Sequence, residues 1–155
     1  MLFLTVKPTY IFLTLLFFDL VSKFALNYFE PSSMTLVPGI LDYILIKNTG
    51  IALSLLSSDS LVLKPLLLII IFFALLFLFN EYKKSVSYRQ KIGFLFILSG
   101  GLGNFIERIF FGSVTDFLHL RFLDTSLFVF NLADLIITIG AIILIFEWIL
   151  NTSEK

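Results

Sequence analysis

The side chains that could carry out chemistry are concentrated between Gly100 and Asp134, a stretch that begins in one apolar segment and ends in another. A charged side chain at the centre of a bilayer costs about 2.5–3.5 kcal/mol on insertion scales. A strongly apolar chain has no folding reason to keep many such groups together. We therefore favour a functional site over residues that only cap helix ends in water. The candidates are Asn104, Arg108, Asp116, Asn131 and Asp134.

The two carboxylates of this stretch, Asp116 and Asp134, are eighteen residues apart and flank adjacent apolar segments. We therefore expect them to meet at one level of the membrane. Two carboxylates in one low-dielectric site cannot easily both ionise, so one stays protonated while the other acts as a base towards water. That is aspartic-protease chemistry. Taken alone, Asp134 is also an ordinary helix-start residue, because the macrodipole favours an acid there.

The composition places most of the surface in lipid. Of the 155 residues, 59% are hydrophobic and 14% are charged, whereas a soluble domain is about 25% charged. The chain has no cysteine, which excludes disulfides, thiolate catalysis and most zinc sites. His119 is the single histidine, and we interpret it as a solvated loop residue rather than a ligand. The net charge is zero, so we expect no nucleic acid partner. Because two carboxylates can hydrolyse an amide without a metal, we also expect no metal and no cofactor.

Four segments are long and apolar enough to cross the hydrocarbon core, which takes about 20 residues: 10–27, 61–79, 92–109 and 132–150. The first is interpreted as a retained span, because it contains Asp19 and Lys23 and no small-residue cleavage pattern follows. The whole chain, 1–155, is predicted to form a single membrane domain.

Basic residues predict the orientation of these spans. The connection after the second span holds Lys83, Lys84, Arg89 and Lys91, and such clusters stay in the cytoplasm. With four spans, both termini are then cytoplasmic. The outer connection 28–60 contains short runs rich in Thr, Val, Ile and Tyr that predict one or two strands on the membrane. A short amphipathic interfacial helix is predicted to follow Asn48.

Two further patterns place polar groups on helix faces. Asp19 and Lys23 are four residues apart, hence on one face. They could serve a proton path or substrate contact, but we favour an internal clamp. In the third span, small and polar residues form one stripe. The glycines are explained by close helix packing. Packing does not explain why an amide and a guanidinium follow on the same face, and these two donors suit an anion or a peptide carbonyl. The stripe consists of Gly93, Gly100, Asn104 and Arg108.

Together, these motifs resemble those of the lipoprotein signal peptidase (signal peptidase II) family, over nearly the whole chain. Each motif is short, but all occur in the right order on a four-span frame. The motifs are DLVSK at 19–23, VPG at 37–39, NTGIALS at 48–54, Gly103-Asn104 with Arg108, VTDF at 114–117 and FNLAD at 130–134.

The resemblance implies an all-α integral membrane protein of the bacterial inner membrane: four transmembrane helices, a small extracytoplasmic β-rich cradle and a short interfacial helix. It implies that Asp116 and Asp134 are the catalytic pair near the outer face. The implied substrate is a diacylglyceryl-modified prolipoprotein, cleaved just before the lipidated cysteine, and globomycin-type antibiotics would occupy the same position. Asn48, Asn104, Arg108 and Asn131 would position the substrate or the acids, with supporting roles for Asp19, Lys23, Gly50, Ala52, Gly103 and Ala133.

Some positions depart from the family pattern. Glu107 stands where an aspartate usually precedes the arginine, and Leu20, Leu53 and Leu135 replace a glutamine, a phenylalanine and a serine. Two other classes of protein stay open on the residues alone. A small transporter could keep intramembrane acids and bases, although inverted repeats and broken helices are not evident. A non-enzymatic assembly factor could use the glycine stripe for docking, but it would not need the two acids together.

Overall fold

Four long apolar helices and one small antiparallel sheet make up the fold. The computed structural model describes residues 7–50 and 63–153. All four helices are long and apolar enough to cross a membrane. The predicted interfacial helix and Ala52 lie outside the described residues. The helices are α1 (Pro8–Phe29), α2 (Leu63–Lys84), α3 (Tyr88–Phe111) and α4 (Leu132–Ser153).

The helices extend beyond the predicted spans because helix formation does not stop where the apolar run stops. The largest extension at a single end is in α2, which continues past residue 79 to Lys84. Its last turn holds Lys83 and Lys84, where cations interact favourably with the helix macrodipole. The outward faces carry large exposed hydrophobic side chains, such as Phe24, Phe73 and Phe146. These faces suit lipid rather than water.

Helix α3 contacts each of the other three helices, and its contact with α4 depends on glycine. A Cβ atom added at Gly100 would lie 2.5 Å from the carbonyl oxygen of Ala133, and one at Gly140 would lie 2.6 Å from the carbonyl oxygen of Gly93. Both distances are too short for a side chain. The two backbones therefore touch because these positions lack side chains, as small residues commonly allow in membrane helices.

Polar side chains join α1 to α3. The Lys23 Nζ atom donates to Asp19 Oδ2 at 2.9 Å and to Asn104 Oδ1 at 2.6 Å. Asp19 is 0% exposed and Lys23 is 2% exposed. A Cβ at Gly103 would lie 2.1 Å from Asp19 Oδ2, so only glycine leaves room for this carboxylate. A buried charge is tolerated when it is paired in this way.

The sheet has the strand order β1-β2-β3-β4 and is antiparallel throughout. Two strands lie in the predicted outer connection, which agrees with the expectation of one or two. No strand was predicted between the third and fourth helices, yet two are found, and His119 lies in a strand rather than in a loop. Pairing with β2, which is distant in the sequence, places His119 within the sheet. Local sequence patterns do not reveal this pairing. The strands are β1 (Met34–Val37), β2 (Leu41–Asn48), β3 (Val114–Phe122) and β4 (Thr125–Phe130).

The junction between α3 and β3 brings Asp116 to the bundle. Gly112 ends α3 with a φ of 69° and donates its backbone N–H to the Arg108 carbonyl at 2.9 Å. This left-handed conformation favours glycine and terminates helices. Strand β3 begins two residues later, and there Ile46 of β2 lies opposite Asp116 while Asn48 lies opposite Val114. Asn48 and Asp116 are therefore held close together by strand register.

Adjacent glycines provide a matched test of the α3–α4 contact. We expect Gly100→Ala to lower the free energy of unfolding by about 1–3 kcal/mol, as overpacking does, because the new methyl meets backbone. Gly101→Ala meets only the end of the Leu75 side chain, at 2.8 Å, and should cost less. Both substitutions gain the same helix propensity. Thermal unfolding in detergent measures the difference, and equal stabilities would contradict the packing argument.

The buried pair of α1 gives a second prediction. Lys23→Met leaves the Asp19 carboxylate buried without its cation, which should destabilise the protein by about 3–5 kcal/mol. The double variant Asp19→Asn/Lys23→Met removes both charges and should regain much of that loss. Lys84→Met is the control, since the Lys84–Glu81 pair is largely exposed and such pairs contribute about 0–1 kcal/mol. A double variant less stable than the single one, in thermal unfolding, would refute the pairing.

Candidate active site

A half-open cleft lies where the C-terminal end of α3 and the N-terminal end of α4 meet β2, β3 and β4. Its volume is about 370 Å³, within the range of small-molecule sites. One part of its wall is polar and includes both candidate acids. The remaining wall is largely apolar. The lining residues are Asn48, Asn104, Arg108, Val114, Asp116, Phe128, Val129, Phe130, Asn131, Asp134, Ile137 and Thr138.

Asp116 lies on β3, is 3% exposed and accepts hydrogen bonds at both carboxyl oxygens. Asn48 Nδ2 donates to Oδ2 at 2.8 Å, and Asn131 Nδ2 donates to Oδ1 at 2.6 Å. Burial raises the pKa of Asp116 above its usual value, although both amide bonds favour the charged form. The nearby Asp134 carboxylate raises this pKa further. Asp116 is therefore easier to protonate than an aspartate in water.

Asp134 lies in the first turn of α4 and helps to start that helix. Its Oδ2 accepts the backbone N–H of Asn131 at 3.2 Å, while Asn131 Oδ1 accepts the backbone N–H of Asp134 at 3.0 Å. This reciprocal pattern is that of a capping box. Asn104 Nδ2 of α3 donates to Asp134 Oδ1 at 2.9 Å. The carboxylate is thus held by its own helix start and by α3.

Asn131 connects the two acids. It is 0% exposed, and it donates its side-chain amide to Asp116 and its backbone N–H to Asp134. The two carboxylates therefore line one cleft with a single residue bonded to both. The sequence predicted that the two acids meet at one level of the membrane; both lie on the wall of one cleft, and their level in the membrane stays a prediction.

Arg108 adds a cation to the cleft. Its Nη2 donates to the carbonyl oxygen of Gly50 at 2.6 Å, and Asn48 Oδ1 accepts the backbone N–H of Gly50 at 2.9 Å. Gly50, two residues after the end of β2, is therefore bonded through its carbonyl oxygen to Arg108 and through its N–H to Asn48. Within the described residues, Arg108 Nε is buried and lacks a hydrogen-bond partner. Such donors are rare in proteins, so this one is suited to a bound acceptor.

The remaining predicted site residues lie behind the cleft. Lys23 reaches it through Asn104, and Asp19 lies against Lys23 and Gly103. Ala133 is 0% exposed and packs its backbone against Gly100. These residues do not line the cleft, and their supporting role stays a prediction.

Sequence reasoning missed a second polar group on the far side of β3. Thr115 is 0% exposed. Its hydroxyl donates to Glu107 Oε1 and accepts from Asn27 Nδ2 at 2.8 Å and Lys47 Nζ at 2.9 Å; Lys47 also donates to Asn27 Oδ1. Glu107 attracted attention only as a departure from a family pattern. No sequence spacing signals the others, because strand register brings Lys47 opposite Thr115.

The donor set does not suit a metal. In the described residues, no group of three or more His, Cys, Asp or Glu side chains could hold a metal ion. Both oxygens of Asp116 and both of Asp134 accept N–H bonds instead. These hydrogen bonds fix the orientation of both carboxyl groups on the cleft wall.

Comparison with known proteins gives the family. The family model described as signal peptidase (SPase) II matches residues 11–150. A lipoprotein signal peptidase of Wigglesworthia glossinidia brevipalpis is 35% identical over 133 residues, covering 84% of this chain and 87% of that protein. A lipoprotein signal peptidase of Streptococcus thermophilus (strain CNRZ 1066) is 35% identical over 109 residues, covering 70% and 69%.

Solved structures agree with these matches. A bacterial membrane enzyme structure obtained by the in meso method at 2.3 Å resolution has a TM-score of 0.79 and 28% identity, covering 98% of this chain and 93% of that one. Another, at 1.9 Å, has a TM-score of 0.79 and 26% identity, covering 94% of each chain. The family match decides for a peptidase over the carrier and the assembly factor. The chain belongs to the signal peptidase II family and is a multi-pass peptidase of the bacterial inner membrane.

Proposed function

We propose that this protein removes the signal peptide from diacylglyceryl-modified prolipoproteins, cleaving before the lipidated cysteine with Asp116 and Asp134 as the catalytic pair. The family and the relatives named lipoprotein signal peptidase support the substrate class. The observation that carries the mechanism is the shared hydrogen bonding of both acids to Asn131 in one cleft. Such a pair needs neither metal nor nucleophilic side chain.

Burial supports a pair that shares one proton. It raises the pKa of Asp116, which favours Asp116 as the protonated partner of the pair.

In the proposed reaction, Asp134 takes a proton from water and the resulting hydroxide oxygen bonds to the scissile carbonyl carbon. Asp116 gives its proton to the carbonyl oxygen, which stabilises the tetrahedral intermediate. The carbon–nitrogen bond then breaks as Asp134 returns its proton to the leaving amine, and Asp116 recovers its own from the hydroxyl. Asn48 and Asn131 hold Asp116, Asn104 holds Asp134, and Arg108 binds a substrate carbonyl.

The cleft is proposed to lie at the outer membrane face, with both termini in the cytoplasm. The basic residues Lys83, Lys84, Arg89 and Lys91 lie around the α2–α3 connection, and Arg108 lies at the other end of α3. Positive residues stay inside, so the cleft faces outward. Its apolar wall, with Phe128, Phe130 and Ile137, would contact the diacylglyceryl chains, bilayer lipid and globomycin-type inhibitors.

Replacing either acid tests the mechanism. Asp116→Asn and Asp134→Asn should each abolish cleavage of a lipidated precursor by purified enzyme in detergent, because an amide cannot exchange the required proton. Membrane insertion should be unchanged. Asp124→Asn, in the exposed turn between β3 and β4, is the control and should keep normal activity. Cleavage should also continue in the presence of a chelator and without nucleotide. Normal turnover in either active-site variant would refute the assignment.

The pH profile tests which acid holds the proton. The bond from Asn48 favours the charged form of Asp116, so Asn48→Ala should raise the pKa of Asp116 further. A higher pKa keeps the proton on Asp116 to higher pH, and the alkaline limb of kcat/KM should move upward even as activity falls. Asn80→Ala, on the exposed face of α2, should leave the profile unchanged. A downward shift would assign the alkaline limb to another group.

A further inference from the structure

Glu107 lies on α3, outside the lining of the cleft. It is 4% exposed, and one carboxylate oxygen accepts the backbone N–H of Thr115 at 2.9 Å while the other accepts the Thr115 hydroxyl. Two bonds from one carboxylate to one residue form a clamp. Hydrogen bonds to a charged group are stronger than neutral ones. The beginning of β3 is therefore fixed to α3 at Thr115.

Thr115 directly precedes Asp116 in β3. Successive side chains of a strand point to opposite faces, and the contacts agree: Thr115 bonds to Glu107, whereas Asp116 bonds to Asn48 and Asn131. Glu107 thus holds the strand from behind at the point where Asp116 projects into the cleft. A movement at the clamp would be transmitted to the Asp116 carboxylate.

The Glu107 carboxylate also lies near Lys23, which is connected through Asn104 to Asp134. Glu107 Oε2 lies 3.7 Å from Lys23 Nζ. Lys23 donates to Asn104 Oδ1 at 2.6 Å, and Asn104 donates to Asp134 Oδ1 at 2.9 Å. The buried Glu107 carboxylate therefore contacts both Thr115, which precedes Asp116 in β3, and Lys23, which is connected through Asn104 to Asp134.

We infer that Glu107 is a positioning residue that sets the relative placement of Asp116 and Asp134 through Thr115 and through Lys23–Asn104. This inference rests on the proposed function. The side-chain length is part of it, because a glutamate on α3 reaches both Thr115 donors and the Lys23 ammonium. Misplacing reacting groups by about 1 Å can reduce a rate by about 100-fold.

The uncharged variant Glu107→Gln keeps the side-chain length but replaces one of the two acceptor oxygens with an amide donor. If its oxygen accepts the Thr115 N–H, its amide nitrogen faces the Thr115 hydroxyl, which already accepts from Asn27 and Lys47. The hydroxyl hydrogen then has no acceptor, and Lys23 loses a carboxylate neighbour. The clamp is weakened without removal of any group that touches substrate.

Kinetics on the full chain in detergent with a lipidated precursor test the inference. Glu107→Gln should lower kcat by about 10- to 100-fold with KM changed by less than about 3-fold. Thr115→Val, which keeps shape but loses the hydroxyl, should lower kcat as well, whereas Thr115→Ser, which retains the hydroxyl, should restore it to within about 2-fold. Because one clamp is broken in each case, Glu107→Gln/Thr115→Val should be no worse than Glu107→Gln alone.

Other results separate this inference from the proposed function. An unchanged kcat in Glu107→Gln would overturn the positioning role, and so would a double variant whose kcat falls by the product of the two single reductions. In either case, an inactive Asp116→Asn would still support the aspartic mechanism. Normal turnover of Asp116→Asn would overturn the mechanism itself. If Glu107→Gln does not fold, equal kcat values for Thr115→Val and Thr115→Ser would overturn the inference. Glu81→Gln, on α2 in a largely exposed pair with Lys84, is the control.

Discussion

Hydrocarbon offers no hydrogen-bond partner, and this constraint governs the rest of the structure. Polar groups between the helices therefore need partners within the chain, since an unsatisfied one costs several kcal/mol, and among the described residues Arg108 Nε is an exception. Lys23 meets the constraint by bonding to Asp19 and Asn104, and Asn131 meets it by bonding to Asp116 and Asp134. Groups satisfied in this way have few alternative arrangements. The surrounding hydrocarbon therefore accounts for both the apolar exterior and the ordered polar interior.

The polar interior is continuous from one helix to the sheet. It runs from α1 through α3 to the start of α4, and from α3 through the beginning of β3 to the cleft. The sheet supplies one acid and the fourth helix the other, so neither element alone contains the site. Both acids lie where the helices end and the sheet begins, which is the part of the fold that we propose to lie at the outer membrane face.

Features that depend on local composition were predictable from the sequence, and features that depend on register were not. Apolar runs located all four helices, although the polar last turn of α2, ending at Lys84, lay beyond the apolar window. The polar residues that are costly in lipid, Asn104, Arg108, Asp116 and Asn131, all line the cleft. Strands β3 and β4 were missed because antiparallel pairing joins segments far apart in sequence. The contact of Thr115 with Lys47, 68 residues away, was hidden for the same reason.

The helix start at Asp134 has a consequence for turnover. The carboxylate that accepts the water proton in the proposed reaction is also the one that accepts the Asn131 N–H at the beginning of α4. Helix caps contribute about 1 kcal/mol, and a neutral acid is a weaker acceptor than a charged one. While Asp134 carries that proton, the first turn of α4 is held less firmly, and it tightens again when the amine departs. In the proposed reaction, each catalytic cycle would therefore loosen and then reset the N-terminal turn of α4.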